Sequence, residues 1–515
     1  MNPVTSIGLS TAPTCPSACG RRVWERLKGF VSLASRLSTP RLASQEQVRK
    51  AEPSLLDRER SIAPSGYSRW LVPPAALAIH LCIGQVYSFS VFKIPLTQLL
   101  GVNKSLPGDW KQTQVAWIFS LAIVMLGLSA AVFGRWLEKA GPRKAMFAAA
   151  VCFALGFYVS YFGVATHQLW LIYLGYGFIG GTGLGLGYIS PVSTLIKWFP
   201  DRPGLATGMA IMGFGGGAMI GSPLGIQLMA HFHSAQDTGV GKTFLVMGTM
   251  YFLLMMFGVF TIRVPRDGWK LENWTPSEKP QALITTHNVD VDTAFGTKQF
   301  WLLWIVLCTN VTAGIGILEQ ASPMIQELFK GTIGPLAAGG FVGLLSLFNM
   351  AGRFLWSSAS DYLGRKQTYF VFFVLGAVLY LVLPRTGGDH LNSVILFVSI
   401  AVILISMYGG GFATMPAYLG DLFGTYHVSA IHGRILTAWS VAGVLGPVLV
   451  NYMRDYQIEH GVDHAGAYQT TLFVMSGLLV VGCIANLMVR PVPQKYWLPS
   501  VPEHSDYNLE PQRSH

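Results

Sequence analysis

The chain has 515 residues, of which 51% are hydrophobic and only 12% charged, with a formal net charge of +11. A soluble domain carries about a quarter of its residues as charges, so this composition excludes a water-soluble enzyme or binding module and points to a lipid bilayer. The positive balance is not a nucleic-acid footprint either, because the cations lie in tails and loops that punctuate long apolar runs.

The N-terminal segment 1–69 is polar and rich in Ser, Thr and Arg. Inside it "RRVWERLKGFVSLASRL" puts Val23, Leu27, Phe30, Ala34 and Leu37 on one helical face. Three readings of this basic, amphipathic stretch stay open: a helix lying on an anionic leaflet, an organelle transit sequence, or a tail without fixed structure. Beyond it come twelve apolar runs, each close to the roughly 20 residues that cross a bilayer. They lie near 70–92, 114–133, 145–165, 169–190, 206–230, 243–263, 299–320, 337–358, 367–384, 392–413, 434–452 and 470–489. The predicted fold is an all-α membrane protein of twelve transmembrane helices in two six-helix halves. Its parts are a tail (1–69), a first half (70–263), a linker (264–298), a second half (299–490) and a C-terminal tail (491–515).

Span 1 carries His80, the best intramembrane proton carrier in the sequence, although a neutral, hydrogen-bonded core histidine is the blander reading. The same span carries Gln85, Tyr87 and Ser88. Trp117 on span 2, Tyr188 on span 4, Asn310 on span 7 and Tyr408 on span 10 are further candidates for a polar cavity, since Tyr and Trp line pockets and still donate hydrogen bonds. Between spans 2 and 3 lies "GRWLEKAGPRK", five charges in eleven residues, with "SDYLGRK" between spans 8 and 9. The stretch 264–298 carries Pro265, Pro276 and Pro280 and reads as a linker. Cys82, Cys152, Cys308 and Cys483 fall in spans, and Cys15 and Cys19 in the tail without partner ligands, so neither a disulfide framework nor a metal site is implied.

Span 8 holds Arg353, the one Lys or Arg inside a predicted span. Such a charge costs roughly 2.5–3.5 kcal/mol on insertion scales and needs a cavity or a partner. Ser346, Asn349, Arg353, Ser357 and Ser360 follow steps of three and four, which sets them on one helix face. Arginine suits a carboxylate because its planar fork offers paired donors. An internal ion pair with Glu319 or Glu327, at the outer end of span 7, is the alternative.

The halves repeat. Pro191 and Pro416, Phe199 and Phe423, Pro223 and Pro447, and Glu138 and Asp361 stand apart by one nearly constant offset, and duplication of six-span halves is a transporter feature. Of the 36 Lys and Arg, 28 fall on the side of the termini and 7 on the other. The positive-inside rule therefore places both termini in the cytoplasm, with the chain multi-pass in the plasma or inner membrane.

The paired charged loops resemble the signature of the major facilitator superfamily, with Gly134, Glu138, Gly141, Arg143 and Lys144 in the first copy and Asp361, Gly364, Arg365 and Lys366 in the second. Glu138 replaces the more usual Asp, and Ser357 stands where the second glycine would be. Within that superfamily, "IGQVYSFSVF", "GLGYISPVSTLIKWFPDRPGLATG", "FNMAGRFLWSSASDYLGRK" and "YGGGFATMPAYLGDLFG" resemble the oxalate/formate antiporter family. The resemblance covers about residues 70–490. It implies that Glu138, Arg143, Asp361 and Arg365 form a conformational gate, and that Arg353 on span 8 recognises a small carboxylate. It also implies a lysine on span 11 in the oxalate exchangers, where this chain has Trp439. One fixed cation balances a monoanion and leaves a dianion uncompensated. The glycines of "GFGGGAMIGSPLG" on span 5 resemble the superfamily's antiporter motif, or serve close helix packing.

No P-loop offers direct ATP coupling, and no Gly-x-Ser-x-Gly or intramembrane His-x-x-x-His constellation supports an enzyme. The expectation is therefore a secondary carrier of small organic anions, a monocarboxylate of formate, lactate or pyruvate type, working by anion exchange or proton symport. The alternatives are an oxalate/formate-type dicarboxylate exchanger and a transporter-fold nutrient sensor. The expected substrate-binding residues are Arg353, Asn349, Gln85, Tyr87, Trp117, Tyr188, Tyr408 and Trp439, with His80 and Glu319 as proton-coupling candidates. The expected partners are the carboxylate and the bilayer, with no cofactor and no nucleic acid, and the protein is expected to be monomeric.

Overall fold

The computed structural model describes residues 53–272, 283–330, 332–386, 391–463 and 466–499. The amphipathic stretch at 21–37, Cys15 and Cys19 lie outside the described residues. Within them are twelve helices long and apolar enough to cross a membrane: Arg69–Ser88, Gln112–Ala140, Pro142–Ala165, Leu169–Trp198, Pro203–Phe232 and Val240–Thr261 in the first half, then Lys298–Leu318, Ala337–Leu363, Arg365–Thr386, Leu391–Phe423, Val428–Glu459 and Ala467–Met488 in the second. They are numbered spans 1 to 12.

Backbone polar groups have no water to bond in hydrocarbon, so each run satisfies them internally as a helix. Two spans depart from regular α geometry. Span 1 tightens to 3-10 over Gly84–Ser88, and span 4 widens to a π segment over Tyr173–Gly180. The two irregular segments meet where the Tyr176 hydroxyl donates to Gln85 Oε1 at 3.1 Å. Pro191 and Pro416, and Pro223 and Pro447, sit inside helices at matching places in the two halves. Spans 2 and 8 both end on a glycine with positive φ, Gly141 at 83° and Gly364 at 86°. A side chain there would strain the turn, which explains the glycine of each charged loop.

The segments before span 1 and after span 6 pair through Ile62 and Val264, and the linker pairs with the segment after span 12 through Val289 and Trp497. These contacts define one terminal face. Spans 3 and 6 pack on each other, as do 9 and 12, while spans 5 and 8, 2 and 11, and 5 and 10 join the halves. Small residues let these helices touch. A methyl on Gly215 of span 5 would lie 3.0 Å from Arg353 Nε, and one on Gly134 of span 2 would lie 2.8 Å from Ala430 Cα.

Candidate functional site

Six side chains on six different spans lie at one depth. Arg353 and Tyr188 are ten residues, and Phe412 eleven, from the terminal-face ends of spans 8, 4 and 10, while His80, Phe214 and Trp439 are eleven residues into spans 1, 5 and 11. At 1.5 Å per residue that is about 15–17 Å, half of a hydrocarbon core of about 30 Å.

Arg353 is fully buried at this depth. Its Nε donates to Asn349 Oδ1 at 3.1 Å, one helical turn away. Its guanidinium lies over the rings of Phe412 at 5.2 Å and Phe214 at 5.5 Å. Trp439, also fully buried, closes the cage against Phe412 (4.3 Å between ring centroids), Phe214 (5.2 Å), Tyr188 (5.4 Å) and Tyr87 (6.4 Å). On the side away from the terminal face, the hydroxyls of Tyr87 and Tyr408 meet at 2.9 Å, joining the two halves. Among the described residues, Arg353 Nη1 and Nη2, the Tyr188 hydroxyl and Trp439 Nε1 are buried donors without a hydrogen-bond partner. Buried donors are ordinarily satisfied; here two of the four belong to the buried guanidinium itself, and the other two sit on Tyr188 and Trp439, which pack on each other.

Asn349, Tyr87, Tyr188, Tyr408 and Trp439 are thus brought to Arg353. Trp117 is not: it lies five residues into span 2 from the other face and is 55% exposed, far from the depth of the cage. Gln85 belongs to the first half's own core, held by Tyr176. Asn310 is buried against Gly411, beside Phe412. The ion pair weighed for Arg353 does not use Glu327, which pairs instead with Arg454 of span 11. The side chain of Glu319 lies outside the described residues.

Sequence reasoning missed Phe214, Phe412 and His432. The first two stand beside glycine runs, "GFGGG" and "GGGF", where a lone large ring must fill the space its neighbours leave. His432 is buried four residues into span 11.

The terminal face is latched by the loop acids. Asp361, at the end of span 8, accepts the N–H groups of Gly204 and Leu205 at 2.8 and 2.9 Å, capping span 5 of the other half. Arg365 Nη2 donates to it at 2.6 Å, and Arg365 Nε donates to Asp421 at 3.1 Å. Glu138, at the end of span 2, caps span 11 in turn. It accepts the Ala430 N–H at 3.1 Å and the His427 Nδ1–H at 3.0 Å. A carboxylate at a helix N-terminus also gains from the helix dipole. Among the described residues, Arg143 bonds within the first half and not across to the second. Because Pro142 opens span 3, Arg143 turns under the first half and donates to the carbonyls of Leu55 and Phe260.

A third clasp comes from the short linker helix Val291–Phe295. Asp292 accepts from Arg434 of span 11 at 2.6 Å and from Arg135 of the 2–3 loop at 2.7 Å. Arg434 first, then Arg135, holds its carboxyl below the usual carboxylate range. A depressed pKa means the clasp is complete above the ordinary value of about 4 and is lost only as pH falls through the lowered one. Between pH 5 and 8 it is therefore pH-insensitive. These are exposed pairs worth about 0.2–1 kcal/mol each. Asp292→Asn should therefore raise labelling of a cysteine placed under the terminal face by less than about thirtyfold, since it removes two such pairs, an effect that high salt mimics.

The family model described as Major Facilitator Superfamily matches residues 65–447. The chain is 27% identical over 383 residues to the Oxalate:formate antiporter of Oxalobacter formigenes, covering 74% of this chain and 83% of that protein. It is 22% identical over 551 aligned positions to Apicoplast pyruvate carrier 1 of Toxoplasma gondii, covering 89% and 97%. Its fold resembles the crystal structure of the transporter FucP in the outward conformation, with a TM-score of 0.58 at 13% identity over 82% of this chain and all of that one.

Proposed function

The chain belongs to the Major Facilitator Superfamily, and from that premise we propose that it carries small monocarboxylates across the membrane by alternating access, with Arg353 as the carboxylate receptor. The observation that carries this reading is the buried guanidinium with both Nη atoms unpartnered, walled by aromatic rings at mid-membrane depth. A carboxylate answers it with two acceptor oxygens and one negative charge. The cage holds a single cation, which favours a monoanion over oxalate. The named relatives, an oxalate:formate antiporter and a pyruvate carrier, support the substrate class without choosing within it. With both termini in the cytoplasm, as the loop charges favour, the latched terminal face corresponds to the outward-facing arrangement. The anion then enters past the Tyr87–Tyr408 contact. It leaves once the bonds of Asp361 and Glu138 open.

Trp439→Lys tests the one-cation argument. A second cation against the cage pairs with the far carboxylate of a dianion, whereas with a monoanion it is left uncompensated or gives up its proton. Competition against labelled substrate should shift towards oxalate by about 1–3 kcal/mol, the scale of a charge-assisted hydrogen bond. Trp439→Phe serves as the packing control. A transporting Lys variant with the parent's ratio of oxalate to lactate competition would remove Trp439 from the site.

A further inference from the structure

Two buried histidines lie against the cage, one level with Arg353 and one nearer the terminal face. His80 Nδ1 is 3.1 Å from the Ala76 carbonyl, which accepts the Nδ1 proton in the tautomer that leaves Nε2 a lone pair. That Nε2 is buried and has no hydrogen-bond partner among the described residues. The His80 ring packs edge-on against Tyr188 at 5.4 Å, and His432 of span 11 packs on the same tyrosine at 5.8 Å. Tyr188 also touches Phe214 and Trp439, so one ring joins both histidines to the walls around Arg353. By depth, His80 is level with Arg353, and His432 lies between that level and the Glu138–His427 latch at the start of span 11.

We propose that His80 and His432, linked by Tyr188, form a proton-binding site coupled to the anion site, so that one proton travels with each carboxylate. This rests on the carboxylate reading of Arg353. The proton adds to the lone pair of His80 Nε2 or to His432 and leaves again on the other face, and the imidazole ends neutral, as it began. The coupling is electrostatic. The charged group beside the pair is Arg353 from span 8, and beyond His432 stands the latch carboxylate Glu138 of span 2, bonded to His427. Tyr188 from span 4 is the titratable side chain in contact with both histidines, and among the described residues span 5 presents Gly213 to His80 and Phe214 to Tyr188. Two like charges this close in a buried site oppose each other, so the Arg353 charge disfavours a second positive charge on the pair. A bound carboxylate cancels that field. Anion binding therefore raises the proton affinity of the pair, and by reciprocity protonation raises anion affinity.

The test uses the full-length protein in proteoliposomes with labelled lactate, which stays ionised across the range because its pKa is near 4. Three results are expected. A pH gradient, alkaline inside, drives accumulation, with external protons consumed one per anion. Half-saturation improves at least roughly fivefold from pH 8 to 5.5, the lower bound of ordinary coupling factors. His80→Gln and His432→Gln still exchange lactate for lactate but lose gradient-driven accumulation and flatten the pH dependence. Wild-type protein that exchanges lactate yet ignores the pH gradient would overturn the inference while leaving the carboxylate reading intact. So would variants that keep the full gradient response, or variants that neither exchange nor accumulate. Absence of exchange for lactate and for formate, pyruvate and oxalate would instead remove the reading beneath it, and the inference with it.

Discussion

Arg353→Ala should abolish carboxylate transport and leave the protein folded at least as stably as the parent. The guanidinium is fully buried, and among the described residues its Nε donates to Asn349. Nη1 and Nη2 are without partners among the described residues. A buried, uncompensated charge destabilises its fold, so removing it relieves a cost that only bound anion offsets. Truncating one member of a buried charge pair typically costs about 2–5 kcal/mol, which here means transport lowered on the order of a hundredfold or more. Arg353→Lys should retain partial transport, because a point charge replaces a two-pronged donor. Thermal unfolding in detergent, read beside transport, separates the roles. A structural arginine would lose stability and activity together.

Asp361→Asn should release the terminal face far more than Glu138→Gln does. Asp361 is 8% exposed and ties three donors at once: the N–H groups of Gly204 and Leu205 in one half and Arg365 in the other. Charge-assisted bonds at a buried site are worth about 1.5–3 kcal/mol, so the latched population should fall by roughly ten- to a hundredfold. Glu138 is 16% exposed and bonds the Ala430 N–H and His427. Its own loop supplies no counterpart to Arg365, since Pro142 stands in the equivalent place. Its loss should cost about 1 kcal/mol. Alkylation of a cysteine under the terminal face reads both. Equal effects, or a changed ranking of competing carboxylates, would contradict the latch.

The twelve spans are legible in the sequence because lipid forces every apolar run of sufficient length into a helix. Their ends are not. Span 2 continues through the charged cluster to Ala140, and span 11 begins at Val428, six residues before the apolar run. At the membrane surface a helix persists in polar sequence that hydropathy reads as loop. That misplacement hides His432, which hydropathy leaves in the loop before span 11. Arg353 is legible because a lone intramembrane cation is costly wherever it sits. The walls of its cage are not, because 30 phenylalanines in apolar helices look alike until packing selects two. One signal is present: Phe412 stands to Tyr188 as Phe423 stands to Phe199, at the offset that relates the two halves, and both rings face the cage. The arginine itself has no such twin. At the offset that relates Asp361 to Glu138, its counterpart is Ala130, so the buried cation comes from one half while the repeat supplies two of the rings around it.

The most direct measurement is counterflow in proteoliposomes preloaded with unlabelled formate, lactate, pyruvate or oxalate, with the labelled form of the same anion outside. Transient accumulation is expected with one or more of the monocarboxylates, weaker accumulation with oxalate, and none with Arg353→Ala. Exchange of oxalate alone, or monocarboxylate exchange undiminished in Arg353→Ala, would contradict the assignment of Arg353 as a monocarboxylate receptor.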